Sequence, residues 1–183
     1  MDSRLSNELR REQVRSWIKK SGTVKHSQGS IVLGPQGSGK SWFVKHRGQG
    51  QWADVDEFLG PFLKFHTEEW HNKKHTQAEV EAHYRECDNY LKAMKEEGCW
   101  VVGALFWEYV PDAIVILDEA QHRKYVAQRD DLDWESVKRV REFLRKQSRE
   151  HSVPIYNNWD DLAARYQMAQ FPVATVTSSG YAF

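Results

Sequence analysis

Gly34-Pro35-Gln36-Gly37-Ser38-Gly39-Lys40-Ser41 follows the apolar run Ser30-Ile31-Val32-Leu33 and precedes Trp42-Phe43-Val44-Lys45-His46. It fills every fixed position of the pattern G-x-x-x-x-G-K-[ST]. Both flanks agree with the pattern: a short buried strand runs in and a helical turn runs out. Glycines let the chain curl until successive backbone N–H groups face the oxygens of a phosphate. The lysine then reaches the β- and γ-phosphates, and the serine hydroxyl joins the shell of a Mg²⁺ ion. The stretch therefore predicts a nucleoside triphosphate site formed by residues 34–41 with Trp42 beside it, and ATP with Mg²⁺ as the expected ligands. A glycine-rich turn carrying an incidental lysine is the plainer alternative, and it accounts for neither flank.

The 183 residues suffice for one α/β domain with a substantial core. Lys plus Arg and Asp plus Glu stand at 26 each, so no overall basic field exists to recruit nucleic acid. A nucleic acid is expected only as an end substrate, which needs few contacts. Cys87 and Cys99 are too few for a disulfide framework and are expected as buried free thiols of a reducing, cytoplasmic compartment. No apolar leader or membrane-length run is seen, which predicts no membrane partner. Most of the eight tryptophans are expected in the core, with one available to stack a nucleobase. Oligomeric state is left open.

Residues 3 to 20 read as an amphipathic charged helix with Leu5, Leu9, Val14 and Ile18 near one face, and residues 1–24 as an extension packed on a domain of residues 25–183. A second strand is expected at Gln51 to Asp56, and mixed helix and loop over 57–75. Thr76-Gln77-Ala78-Glu79 is a capping box opening a long helix. Val80, Tyr84, Cys87, Leu91 and Met94 form its stripe, and Gly98 ends it. Cys99 to Phe106 and Ala113 to Leu117 read as strands buried on both faces of a parallel sheet. From Glu119 to Gln147 the chain reads as charged helix, with Asp133 as a cap and Val137, Val140 and Leu144 as its stripe. Val153 to Tyr156 is a last short strand, and Asn158 caps a closing helix. Val173 to Val176 is a candidate edge strand. Strands alternating with helices predict a three-layer α/β/α architecture, with a mostly parallel five-stranded sheet and helices on both faces.

The arrangement resembles the P-loop kinases that phosphorylate nucleosides, nucleotides and similar small acceptors. The loop of residues 34–41 is close to that of nucleoside monophosphate kinases. Asp54-Val55-Asp56 resembles the D-x-D that ends the second strand in several small-molecule kinases. Pro111 to Asp118 is similar to the P-D-x-x-I-x-L-D strand of thymidylate and deoxynucleoside kinases, and His122 to Arg129 resembles the arginine-bearing lid that follows it. The resemblance spans about residues 30 to 165, and the loop is its one individually specific motif. The thymidylate kinase D-R-[YH] signature is absent, with Leu105-Phe106-Trp107-Glu108 in its place, and so is the D-G-F-P-R run of adenylate kinases. The resemblance thus implies phosphoryl transfer without naming the acceptor.

On that reading Lys40 and a Mg²⁺ on Ser41 neutralise phosphate charge, Asp54 and Asp118 join the metal shell, and Asp56 meets the acceptor. Arg123 and Arg129 spread positive charge over the transferred group, residues 57–98 form an acceptor-binding insertion, and 119–150 a lid. As parts of one regular strand, Asp54 and Asp56 would share a face; the plainer reading is a pair of solvated acids at a helix start. Arg139, Arg141, Arg145 and Arg149 read as a solvated basic face, and Arg85 as a surface residue. His66, His71, His75 and His83 lack the spacing of a zinc site, with Lys73 and Lys74 intervening.

A rival reading starts from Leu117-Asp118-Glu119 after a buried strand, the pattern in which an ATPase or helicase holds Mg²⁺ on the aspartate and activates water with the glutamate. Asn157 or Asn158 would then sense the γ-phosphate. A helicase needs a second motor domain, whereas one domain is expected here. The two readings differ over Glu119, which hydrolysis requires and phosphoryl transfer does not. A third class, a nucleotide-binding module without turnover, sits poorly with an intact Lys40 and Ser41.

Overall fold

Alternation along each strand explains the architecture. The computed structural model describes residues 3–48, 50–62, 72–104 and 108–170. Among these, β1 (Ser30–Leu33), β2 (Trp52–Asp54), β3 (Trp100–Gly103), β4 (Ala113–Val115) and β5 (Ile155–Tyr156) form one sheet in the order β2-β3-β1-β4-β5. All pairings are parallel, with Ser30 opposite Trp100 and Val32 opposite Ala113. Ile31, Leu33, Val101 and Ile114 point to one face; Val32, Val102, Ala113 and Val115 point to the other. Both sets are buried, which is why the runs are apolar without interruption.

Seven helices cover the two faces among the described residues: α1 (Ser3–Ser21), α2 (Lys40–His46), α3 (Val55–Phe62), α4 (Gln77–Glu96), α5 (Glu119–Val126), α6 (Trp134–His151) and α7 (Trp159–Gln170). Val14 and Ile18 of α1, Phe58 of α3, Leu91 and Met94 of α4, and Leu144 of α6 share the core on the Ile31 face. On the opposite face, Phe43 of α2 and Trp159 and Leu162 of α7 pack with Trp52 and Trp100. The result is the expected α/β/α layering. Val14 of α1 is fully buried and Ile18 nearly so, which packs α1 on the rest of the fold.

Local signals place the ends of the elements. The capping box at Thr76 is formed, with Glu79 N–H donating to Thr76 Oγ1 and Thr76 N–H to Glu79 Oε2. Gly98, at φ +84°, follows the end of α4. The charged stretch holds two helices: α5 ends at Val126, and Asp133 caps α6 as expected, its carboxylate accepting from Ser136 N–H. The candidate strand at 173–176 and the D-R-[YH] counterpart at 105–107 lie outside the described residues. Both cysteines are free and buried. Among the described residues no helix is long and apolar enough to cross a membrane.

α1 is tied to the C-terminal end of α4 by Glu97. Its carboxylate meets Arg11 and Arg15 at 2.9 Å each and Lys25 at 3.3 Å, and its side chain is 5% exposed. Burial raises its pKa, but the hydrogen bonds from Arg15, Arg11 and Lys25 more than offset this and hold it at about 2. A folded-state pKa below the unfolded value means stability that is present above pH 4.5 and lost as pH falls toward 2. Glu97→Gln should therefore cost about 1–3 kcal/mol at pH 7. Urea unfolding should show that deficit shrinking as pH falls below about 4.

Candidate nucleotide site

The loop of residues 34–41 springs from the central strand of the sheet, at its carboxyl end, where open parallel sheets bind ligands. Gly34 N–H donates to the Gly103 carbonyl at 2.9 Å, continuing the ladder one step beyond β1. A Cβ on Gly34 would stand 2.8 Å from the Trp159 ring, so only glycine lets that indole close over the loop. Gly37 has φ +73°, and a Cβ there would strike Val126 of α5 at 2.9 Å. The loop is thus packed on its outer side by α5 and α7.

Three side-chain hydrogen bonds fix its carbonyls. Lys40 Nζ donates to the Pro35 carbonyl at 2.9 Å. Trp159 Nε1–H donates to the Ser38 carbonyl at 2.8 Å. His122, wholly buried, bonds the Gln36 carbonyl through Nε2 at 2.8 Å. The other His122 nitrogen, Nδ1, faces Arg141 NH1 at 2.7 Å, and Arg141 also donates to the Leu117 carbonyl at 3.0 Å. Burial, with the nearby Arg141 and Lys40 charges, lowers the His122 pKa against the opposing pull of the Gln36 carbonyl.

Lys40 is 8% exposed. Burial lowers its pKa to about 8; Asp54 and Asp56 pull it up and Arg129 pushes it further down. Ser41 Oγ–H donates to Asp54 Oδ2 at 2.7 Å, and Asp54 is buried at the end of β2. These two oxygens are hard donors of the kind Mg²⁺ takes in small number, completing its octahedron with water and phosphate oxygens. The pair fits that role. Among the described residues no three His, Cys, Asp or Glu side chains gather to hold a metal by themselves, and His66 and His71 lie outside those residues.

An open cavity of about 670 Å³ adjoins the loop. Residues 37–42, Gln121, Tyr125, Arg129 and Asn158 line it. Trp42 and Tyr125 expose 58% and 40% of their surfaces at its rim, and Trp42 stacks on His46 with ring centroids 4.7 Å apart.

The structure redistributes several predicted roles. Asp54 and Asp56 do not share a strand face: β2 ends at Asp54, α3 starts at Val55, and the Asp56 N–H donates to Asp54 Oδ1 at 3.0 Å. Asp118 is the N-cap of α5, with Oδ1 accepting from the Ala120 and Gln121 N–H groups, and it does not line the cavity. Of the two carboxylates expected in a metal shell, Asp54 is the one bonded to Ser41. Arg123 is set apart from Arg129, pairing with Glu119 at 2.9 Å and lying 4.6 Å over the Trp134 ring. Arg129 lines the cavity while bound to Asp131 through both ends of its guanidinium. Asn158 caps α7 by accepting from the Asp161 N–H. Arg85, Arg139, Arg145 and Arg149 are exposed as expected, but Arg141 is 2% exposed. Its position explains this: 137, 141 and 144 follow one helical stripe, so Arg141 shares the buried face of Val137 and Leu144. That spacing was the available sign of the strut to His122.

No family model matches the chain, and no curated protein matches it.

Proposed function

We propose that the protein catalyses ATP- and Mg²⁺-dependent phosphoryl transfer to a small acceptor, a nucleoside or nucleoside monophosphate. The observation that carries this reading is the Ser41–Asp54 hydrogen bond. It puts a carboxylate from the end of β2, within the D-x-D resembling that of small-molecule kinases, at the loop serine. The position that hydrolysis would use is otherwise occupied: Asp118 caps a helix and Glu119 is exposed in its pair with Arg123.

The chain's own residues account for the steps. Backbone N–H groups of the loop bind the donor phosphates, and Lys40 exchanges the Pro35 carbonyl for their oxygens in charge-assisted hydrogen bonds. Ser41 and Asp54 would hold a Mg²⁺, which would supply charge neutralisation to the donor phosphates. Trp42 and Tyr125 offer faces for the base. The acceptor oxygen attacks the γ-phosphorus in line, the bond to the β-bridging oxygen breaks, and ADP leaves. With a hydroxyl acceptor, the proton passes to Asp56, beside Asp54. Arg129, released from Asp131, contributes charge to the transferred group.

The test is transfer of labelled γ-phosphate from ATP with Mg²⁺ to nucleosides, nucleoside monophosphates and 5′-hydroxyl oligonucleotides. Label in one acceptor class is expected. Free phosphate alone, unchanged by every acceptor, would overturn the reading and move attention to Glu119.

A further inference from the structure

The strut from Arg141 through His122 to the Gln36 carbonyl has a geometry that simple packing does not require. Arg141 is a guanidinium and can only donate, so His122 Nδ1, 2.7 Å away, is an acceptor without a proton. A neutral imidazole then carries its proton on Nε2, and that N–H donates to the Gln36 carbonyl. Arg141 is itself anchored by the Leu117 carbonyl at the foot of α5. The tautomer is thus dictated from α6 and delivered to the loop.

A peptide unit is planar and trans, so its carbonyl and the following N–H point in opposite directions. Holding the Gln36 oxygen toward α5 therefore turns the Gly37 N–H away from α5. Gly37 sits at φ +73°, where glycine's lack of a Cβ lets the preceding peptide rotate at little cost. Without a tie on its carbonyl, that peptide has no reason to keep one orientation.

We propose that His122 is a positioning residue of the phosphate loop: fixed by Arg141 as the Nε2–H tautomer, it holds the Gln36 carbonyl outward and so presents the Gly37 N–H to a bound phosphate. This rests on the nucleotide reading of the loop. Trp159 of α7 makes a matching tie on the Ser38 carbonyl, which aims the Gly39 N–H by the same peptide geometry. The loop is thereby preset for an anion before one arrives, and binding is spared the cost of ordering it.

The experiment uses the full chain with MgADP as probe. Titration calorimetry on the wild type, His122→Ala, His122→Gln and Arg141→Met is paired with thermal unfolding of the same samples and ¹⁵N NMR of the His122 ring. The expected spectrum has Nε2 protonated and Nδ1 bare at pH 7. His122→Ala should weaken MgADP by about tenfold or more, the worth of an aligned hydrogen bond to a charged group. His122→Gln, whose amide N–H replaces Nε2–H, should recover most of that loss. Arg141→Met should release the tautomer and weaken binding by an intermediate amount. A proton on Nδ1 in the wild type would overturn the proposal. So would a His122→Ala that binds as the wild type does, or a folded His122→Gln no better than His122→Ala. Should His122→Ala fail to fold, the spectrum, His122→Gln and Arg141→Met still decide. A wild type that binds no MgADP would overturn the nucleotide reading as well, whereas unaffected variants of a binding wild type overturn this proposal alone.

Discussion

Lys40→Met is expected to leave the chain folded and to reduce phosphoryl transfer by about 10³-fold or more, the scale of losing a buried charge that stabilises a transition state. Methionine keeps the apolar stem of the buried side chain while removing the ammonium. That ammonium donates to a neutral carbonyl, Pro35, and burial holds its pKa at about 8. Two pH effects of opposite sign follow. Since the unfolded chain binds more protons between about 8 and 10.5, the free protein should gain stability as pH rises through that window. A triphosphate favours the charged form, so nucleotide affinity should fall as pH rises above about 8, with proton uptake on binding. Calorimetry in buffers of different ionisation enthalpy measures that uptake directly. Lys40→Met should lose both effects, and an affinity flat from pH 7 to 9.5 in the wild type would remove Lys40 from the phosphate site.

Asp54→Asn is expected to lower transfer by about 10²- to 10³-fold, while Glu119→Gln should stay within about threefold of wild type. The amide retains an oxygen to accept the Asp56 N–H, so the start of α3 survives the change. What disappears is the negative charge beside the Ser41 hydroxyl. The loss should ease partly at high Mg²⁺, because a weaker metal site is filled by mass action. The reverse pattern, a silent Asp54→Asn and an inactive Glu119→Gln, would favour hydrolysis at Asp118-Glu119. Steady-state transfer and phosphate release, measured on both variants across a Mg²⁺ series, separate the two.

Local rules made much of the fold legible. The loop, the capping box at Thr76, the stop at Gly98 and the apolar runs of β1, β3 and β4 are each written within a few consecutive residues. Strand order is not local. Nothing in Ser30–Leu33 says that Trp100–Gly103 will pair on one side and Ala113–Val115 on the other. The site divides in the same way. Asp54 was readable as a carboxylate near the loop, but that β2 stops there and leaves Asp56 to a helix depended on tertiary packing. Charge also misled: Arg141 looked like its exposed neighbours, although its place on the stripe of Val137 and Leu144 marked it as buried. Arg123 and Arg129 were equivalent by type, and only the turn after α5 set one against Trp134 and the other at the cavity.

The central position of β1 has a consequence for biosynthesis. Its first partner in the chain, β3, begins roughly seventy residues later, an interval of about 4–14 s at ribosomal speed. Throughout it, Ile31, Val32 and Leu33 have neither neighbouring strand, and β2 cannot help because it joins the sheet only through β3. The nascent chain therefore carries this central apolar strand unpaired until β3 has emerged. Folding of the sheet then waits on distant contacts and not on local ones, which places the chain among slow folders that are vulnerable to aggregation while incomplete.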